Sequence, residues 1–203
     1  ATDLSGIYRA GGNVRLGAGG NVTAEADAAG GYVDSSTNAP SEGYVFVDAD
    51  GDVSLTDSSA ATMLGVRAGG AASLTGARAG EDVFVLAGTT ATLSGVTAGD
   101  DLTVQADGAI GVTNAATTGT GRDDRSIVYA SGSSSPISFL QIVTTPADLS
   151  NITLTAGTGI TAANVDAFNN LAAIAGGAIT ATGPLTAGDN LTVSAAGAAN
   201  LAN

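Results

Sequence analysis

Apolar and polar residues alternate along this chain in short bursts, and the bursts share one form. A turn of small residues is followed by Asn or Asp, and then by an apolar–any–apolar triplet. The pattern reads Ala10-Gly-Gly-Asn13-Val-Arg-Leu16, then at once Ala18-Gly-Gly-Asn21-Val-Thr-Ala24. It returns as Ala49-Asp-Gly-Asp52-Val-Ser-Leu55, Ala79-Gly-Glu-Asp82-Val-Phe-Val85 and Ala98-Gly-Asp-Asp101-Leu-Thr-Val104. Near the end stand Asn151-Ile-Thr-Leu154 and Ala187-Gly-Asp-Asn190-Leu-Thr-Val193, and Ala68-Gly-Gly-Ala71-Ala-Ser-Leu74 is a degenerate copy in the same frame. Alternation with period 2 puts Val53 and Leu55 on one face of a strand and Ser54 on the other. Gly, Asn and Asp before each strand tolerate left-handed backbone and turn a corner in few residues. Recurrent glycine and β-branched residues disfavour helix.

The spacing predicts the architecture. Asp52 to Ala71 and Asp82 to Asp101 are both 19 residues apart. Weaker half-copies, Thr90-Ala-Thr-Leu93 and Ala178-Ile-Thr-Ala181, sit roughly 8 or 11 positions from their neighbours, as in a short-period repeat. The two steps together make one coil of about 19 to 20 residues with at least two short strands. Parallel strands then stack coil on coil, and eight to ten coils at ~4.8 Å give a shaft on the order of 40 to 50 Å long. The predicted interior is Val14, Leu16, Val53, Leu55, Leu74, Val83, Val85, Leu93, Leu102, Val104, Ile152, Leu154, Leu191 and Val193. Residues 28–43 and 114–150 break the rhythm and read as insertions in a single solenoid segment, residues 1–203. The run Ile137-Ser-Phe-Leu-Gln-Ile-Val143 has strand composition, so the second insertion is expected to carry its own β-structure.

Composition agrees. The chain has 203 residues, 30 of them glycine, with only 4% aromatic and no tryptophan, which suits a thin cross-section filled by small side chains. The net charge is −13 and all six basic residues are arginines: Arg9, Arg15, Arg67, Arg78, Arg122 and Arg125. No basic face is available for nucleic acid or for an anionic membrane surface. Cysteine and histidine are absent, which removes disulfides, thiolate metal sites and the commonest general base. No stretch reaches the ~20 apolar residues of a membrane-spanning helix, so no membrane insertion by this segment is expected.

At Ala98-Gly-Asp-Asp-Leu-Thr-Val104 and Ala187-Gly-Asp-Asn-Leu-Thr-Val193 the chain resembles the repeat region of filamentous-haemagglutinin-like adhesins, the large exoproteins of bacterial two-partner secretion. The resemblance covers most of the chain outside the two insertions. It implies a right-handed parallel β-helix, or β-solenoid, exported to the Gram-negative cell surface, with a role in attachment or cell–cell contact. The family's N-terminal secretion domain is not seen in these residues.

Candidate chemistry is sparse. Asp48, Asp50 and Asp52 invite calcium, but a full calcium loop would place a carboxylate where Ser59 stands, and Asp52 occupies the ordinary turn position of the repeat. Glu81-Asp82, Asp100-Asp101 and Asp123-Asp124 are paired acids, yet a glycosidase needs two carboxyls about 5 to 10 Å apart across a sugar, and adjacent residues point apart. Arg122 and Arg125 are the one close basic pair a lyase could use. Thr153 with Thr155 and Thr180 with Thr182 hint at an ice-binding face, which needs a flat array at every coil, whereas these copies are scattered and read as solvent-side β-formers. No catalytic, cofactor-binding or metal residue is assigned.

The expectation is therefore a structural shaft segment of a secreted cell-surface adhesin, with a β-helical polysaccharide-degrading enzyme, a glycoside hydrolase or lyase, as the alternative. Its partners would be further coils of the same polypeptide, neighbouring filaments, and cell-surface glycans or proteins. Recognition is expected in the insertions, which carry Arg122, Arg125, Tyr129 and Phe139. The full repeat at Ala187–Val193, with no polar cap after it, leads to the expectation that the segment continues into further coils.

Overall fold

The computed structural model describes residues 2–30, 43–120, 126–127, 142–143 and 150–201. Among these there is no helix, and the strands stack in parallel as a β-solenoid of about eight turns. One sheet has eight strands: Val14–Ala18, Val45–Ala49, Leu64–Ala68, Val83–Ala87, Leu102–Ala106, Ile152–Ala156, Leu171–Ala175 and Leu191–Ala195. Between successive members the chain passes along a second, thirteen-stranded sheet on the other side. The motif copies divide between the two. Those at Asn13, Asp82, Asp101, Asn151 and Asn190 open strands of the eight-stranded sheet, and those at Asn21, Asp52, Ala71, Thr90 and Ala178 open strands of the larger one. This division explains the steps of roughly 8 and 11. Eight strands spaced ~4.8 Å apart span about 34 Å from first to last, shorter than the expected shaft.

Each inward position is a column running up the stack. The first column of the eight-stranded sheet is Val14, Val45, Leu64, Val83, Leu102, Ile152, Leu171 and Leu191. The fifth is alanine in all eight coils, from Ala18 to Ala195. That position ends the strand, just before the corner. The larger sheet ends the same way at Ala28, Ala60, Ala79 and Ala98. Alanine is thus abundant in part because it fills most of two interior columns. Of the predicted interior, Leu191 and Val193 are corrected. They keep the register but lie in the outermost described coil, packed from one side only; Leu191 is 47% exposed and Val193 half-buried.

The larger sheet bends. Val22–Ala28 runs through without interruption, but the next coil needs one more residue to cover the same span, as Val53 pairs with Val22 and Ala60 with Ala28. The extra residue, Asp57, takes φ 49°. Gly76, Gly95, Asn114 and Asn164 bend the later coils with φ between 53° and 68°. These are the residue types that tolerate left-handed backbone. Where the straight coil meets the bent one, the buried Ser58 hydroxyl accepts the Ala26 N–H at 3.0 Å, a donor that would otherwise be orphaned.

Both insertions leave at the corner that precedes the eight-stranded sheet, and neither disturbs the register. Val14 pairs with Val45, 31 positions on, and Leu102 with Ile152, 50 positions on. The expected limits need correction. Ala28 belongs to a strand, and Gly30 and Gly43, both left-handed, pack against one another at the neck of the first insertion. Residues 114–117 belong to the strand Ile110–Thr117, which pairs with Ile160–Ala167, so the second departure comes later than residue 114. Within that excursion Ser126–Ile127 pairs antiparallel with Ile142–Val143, and the rest of 121–149, including most of the predicted strand 137–143, lies outside the described residues.

Candidate functional site

The corner before the eight-stranded sheet concentrates the polar chemistry. Immediately ahead of the eight strands stand Asn13, Tyr44, Met63, Asp82, Asp101, Asn151, Asn170 and Asn190. Asn13 Oδ1 accepts the Gly43 and Tyr44 N–H groups at 2.8 and 3.0 Å, which ties down the chain as it returns from the first insertion. Asp82 Oδ1 accepts the Asp101 N–H at 3.1 Å, and Asp101 Oδ1 accepts the Asn151 N–H at 2.8 Å. Above them Asn170 donates from Nδ2 to Asn151 Oδ1 at 2.8 Å, and Asn190 to Asn170 at 2.9 Å. The repeat's Asn/Asp is therefore a ladder that stitches the coils from Asp82 to Asn190, and Asn13 to the coil of Tyr44, with Tyr44 and Met63 interrupting it. Burial pushes the Asp82 carboxyl up to about 7, against the pull of the Asp101 N–H and with help from the charges of Asp101, Asp100 and Glu81. Burial raises Asp101 as well.

Two of the paired acids, Glu81-Asp82 and Asp100-Asp101, are thus stacked on adjacent coils along the corner, where Asp82 and Asp101 serve the ladder. Asp100 Oδ1 accepts the Ser150 hydroxyl at 2.9 Å. Asp123, Asp124, Arg122, Arg125, Tyr129 and Phe139 lie outside the described residues.

A shorter ladder runs along the opposite corner. The Asn21 N–H donates to Asp3 Oδ1 at 2.7 Å, Asp52 N–H to Asn21 Oδ1 at 2.8 Å, and Ala71 N–H to Asp52 Oδ1 at 2.7 Å. Asp52 therefore has the turn role, while Asp48 sits on the outer face of the eight-stranded sheet in an ion pair with Arg67. Among the described residues no three acidic groups gather to hold a metal ion.

Sequence reasoning missed the polar knot where the second excursion rejoins the stack. Thr117 stands in the alanine column that ends the larger sheet, buried at 5% exposure. Its hydroxyl donates to the Ser150 carbonyl at 3.2 Å and accepts the Phe168 N–H at 2.9 Å. The sequence carried no signal for it, because the alanine column that Thr117 interrupts appears only once the coils are stacked.

No family model, no curated protein and no solved structure matches the chain.

Two outer surfaces remain. On the eight-stranded sheet Arg15, Phe46, Gly65 and Phe84 share one outward column, with the Arg15 guanidinium 5.7 Å from the Phe46 ring centroid. Phe46 is buried at 4% exposure despite pointing outward. On the larger sheet the register gathers Thr23, Ser54, Ser73, Thr92, Thr161 and Thr180 into one outward row, interrupted by Gly111. The hydroxyls are thus less scattered than their sequence positions imply, although Thr153 and Thr155 lie on the other sheet. The neighbouring row is also incomplete, with Ala163 where Thr113 precedes it.

Proposed function

We propose that this chain is a shaft segment of a large secreted adhesin of the filamentous-haemagglutinin kind, exported to the bacterial cell surface and serving attachment or cell–cell contact. The observation that carries the reading is the unbroken register of the interior columns across steps of 31 and 50 residues. A stack that keeps its hydrogen bonds through two excursions suits a stiff spacer that displays loops. The use of the acidic pairs within the ladder favours a structural role over catalysis. Among the described residues, the placement of Phe46 and Phe84 on one outer face, with Phe168 at a corner, supplies no cleft of aromatics and acids from consecutive coils.

The test sets the two classes against one another. Beads coated with the 203-residue chain should adhere to cells, and the chain should release neither reducing ends nor unsaturated uronates from a panel of polysaccharides. Turnover of any of those polymers would overturn the structural reading, and failure of the beads to adhere would move attachment outside this segment.

A further inference from the structure

Three asparagines of the two corner ladders are followed, two residues on, by threonine: Asn21-Val-Thr23, Asn151-Ile-Thr153 and Asn190-Leu-Thr192. No other asparagine in the chain has Ser or Thr in that place. Asn-x-Ser/Thr, with x other than proline, is the acceptor sequence for sugars linked through the side-chain nitrogen. The fold treats the three nitrogens differently. Asn190 Nδ2 donates to Asn170 Oδ1 and to Asp189 Oδ2, both at 2.9 Å, so both of its N–H groups are engaged. Asn151 is half-buried, and its Nδ2 donates to Asp101 Oδ1 at 3.3 Å. Asn21 is built the other way round. Its Oδ1 accepts the Asp52 N–H at 2.8 Å and its own backbone N–H donates to Asp3 Oδ1 at 2.7 Å, while Nδ2 donates to no group among the described residues. Both Asn21 and Thr23 are exposed.

We propose that Asn21 is the acceptor of an asparagine-linked sugar, and that the stack withholds Asn151 and Asn190 from the same modification. In the transfer Nδ2 attacks the anomeric carbon of a nucleotide-diphosphate hexose, the nucleoside diphosphate leaves, and Nδ2 gives up one proton. The linked amide keeps its carbonyl oxygen as an acceptor and loses one N–H donor. At Asn21 the oxygen is the ladder's link, so the bond from Asp52 survives the transfer. At Asn190 the nitrogen is the link, so a sugar there would remove a donor the ladder uses. Thr23, which pairs with Ser54 on the larger sheet, presents its hydroxyl on the outer face, where a transferase reads it. The ladder around Asn21 is acidic, with Asp3 on the coil before and Asp52 on the coil after, which favours a neutral hexose over an anionic sugar. The site is a property of one amide and does not depend on the shaft reading.

The test is to treat the folded 203-residue chain with UDP-glucose and a purified N-glycosyltransferase that recognises Asn-x-Ser/Thr, and to read the product by intact mass and peptide mapping. One hexose should be added, on Asn21. Thr23→Ala, at an exposed position outside the ladder, should abolish the addition, and Thr23→Ser should retain it. Synthetic peptides spanning the three Asn-x-Thr sequences should all be modified, because in them no ladder engages the nitrogen. No addition to the folded chain, or addition at Asn151 or Asn190 as fast as at Asn21, would overturn the proposal. So would a Thr23→Ala chain that is still modified at Asn21, or a peptide set in which only the Asn21 sequence reacts, since the fold would then not make the selection.

Discussion

Asn164 donates from Nδ2 to Oδ1 of Asn114 at 2.9 Å, although the two residues are 50 positions apart in the chain. They are neighbours because the second excursion begins after one bend and closes before the next, leaving the column of bends continuous. Both residues are left-handed, at φ 53° and 54°. Asn thus has two roles here: it accepts the backbone and links one coil to the next.

The two roles separate by substitution. Asn164→Gly keeps the backbone and loses one exposed hydrogen bond, at a cost of less than about 1 kcal/mol. Asn164→Val adds a β-branched side chain to a left-handed residue and should cost roughly 1–2 kcal/mol more. Thermal denaturation of the pair should therefore rank Gly above Val. The reverse order would mean that the left-handed bend puts no penalty on a branched side chain at this position.

At the centre of the stack Leu102 is fully buried and pairs with Val83 on one side and Ile152 on the other. Leu102→Asp places an unpaired charge among apolar columns and should destabilise by on the order of 4 kcal/mol or more. Because coils stabilise their neighbours, hydrogen-exchange protection should collapse first around Val83–Ala87 and Ile152–Ala156. A variant that melted with the parent would refute the register.

Gly99 is one of the corner glycines, and a Cβ there would overlap the Gly80 carbonyl oxygen of the coil below. Gly99→Ala should cost roughly 1–3 kcal/mol through displacement of backbone on both coils. Gly17, with nothing near its Cβ position, is the control; Gly17→Ala should melt within a degree or two of the parent.

The stack was legible in the sequence because its signal is local. Asn or Asp, then an apolar–any–apolar triplet, marks a corner and a strand wherever it falls, and a 19-residue step between copies is enough to imply coils. What was not legible depends on which copies become neighbours. Asp57, Asn114 and Asn164 are ordinary polar residues until the larger sheet is seen to need one extra residue at its bend. The alanine columns are invisible in a chain where alanine is common everywhere. The ladder was half-visible: Asn and Asp were read as turn residues, but their hydrogen bonds from coil to coil and the partial burial of Asp82 and Asp101 follow only from the fold. The insertions were found by loss of rhythm, so their limits were set too wide, absorbing Ala28 and the whole of residues 114–117.

Thr117 makes the same point as a prediction. Every nearby coil has alanine in its column, so Thr117→Ala looks conservative. Here, however, the hydroxyl holds the Phe168 N–H and the Ser150 carbonyl, both at the closure of the excursion. Thr117→Ala or Thr117→Val should leave a buried N–H unpaired and cost about 1–3 kcal/mol, while Thr117→Ser should cost under about 1 kcal/mol. Equal melting of the Ala and Ser variants would show that the hydroxyl contributes nothing.

The excursion itself can be removed along a seam the register defines. The Thr118 N–H bonds the Ala98 carbonyl as the Gly99 N–H bonds that of Ala79, so Thr118 occupies the Gly99 position of its coil. Asn151 and Ile152 follow in the places of Asp101 and Leu102, which puts Ser150 in the place of Asp100. Joining Thr118 directly to Ser150 deletes 119–149 and shortens the 50-residue step to 19, the length of the three steps from Val45 to Leu102. The deleted chain should keep the β-sheet circular dichroism of the parent and the protection of the Leu102 and Ile152 amides, with a Tm within a few degrees of the parent. A cut that ignores the register, such as deletion of 116–135, removes Ala116 and Thr117 from the strand and should cost several kcal/mol more. If the in-register deletion unfolded while the other did not, the excursion would be part of the stack, and the continuity of the columns across it would have to be explained in another way.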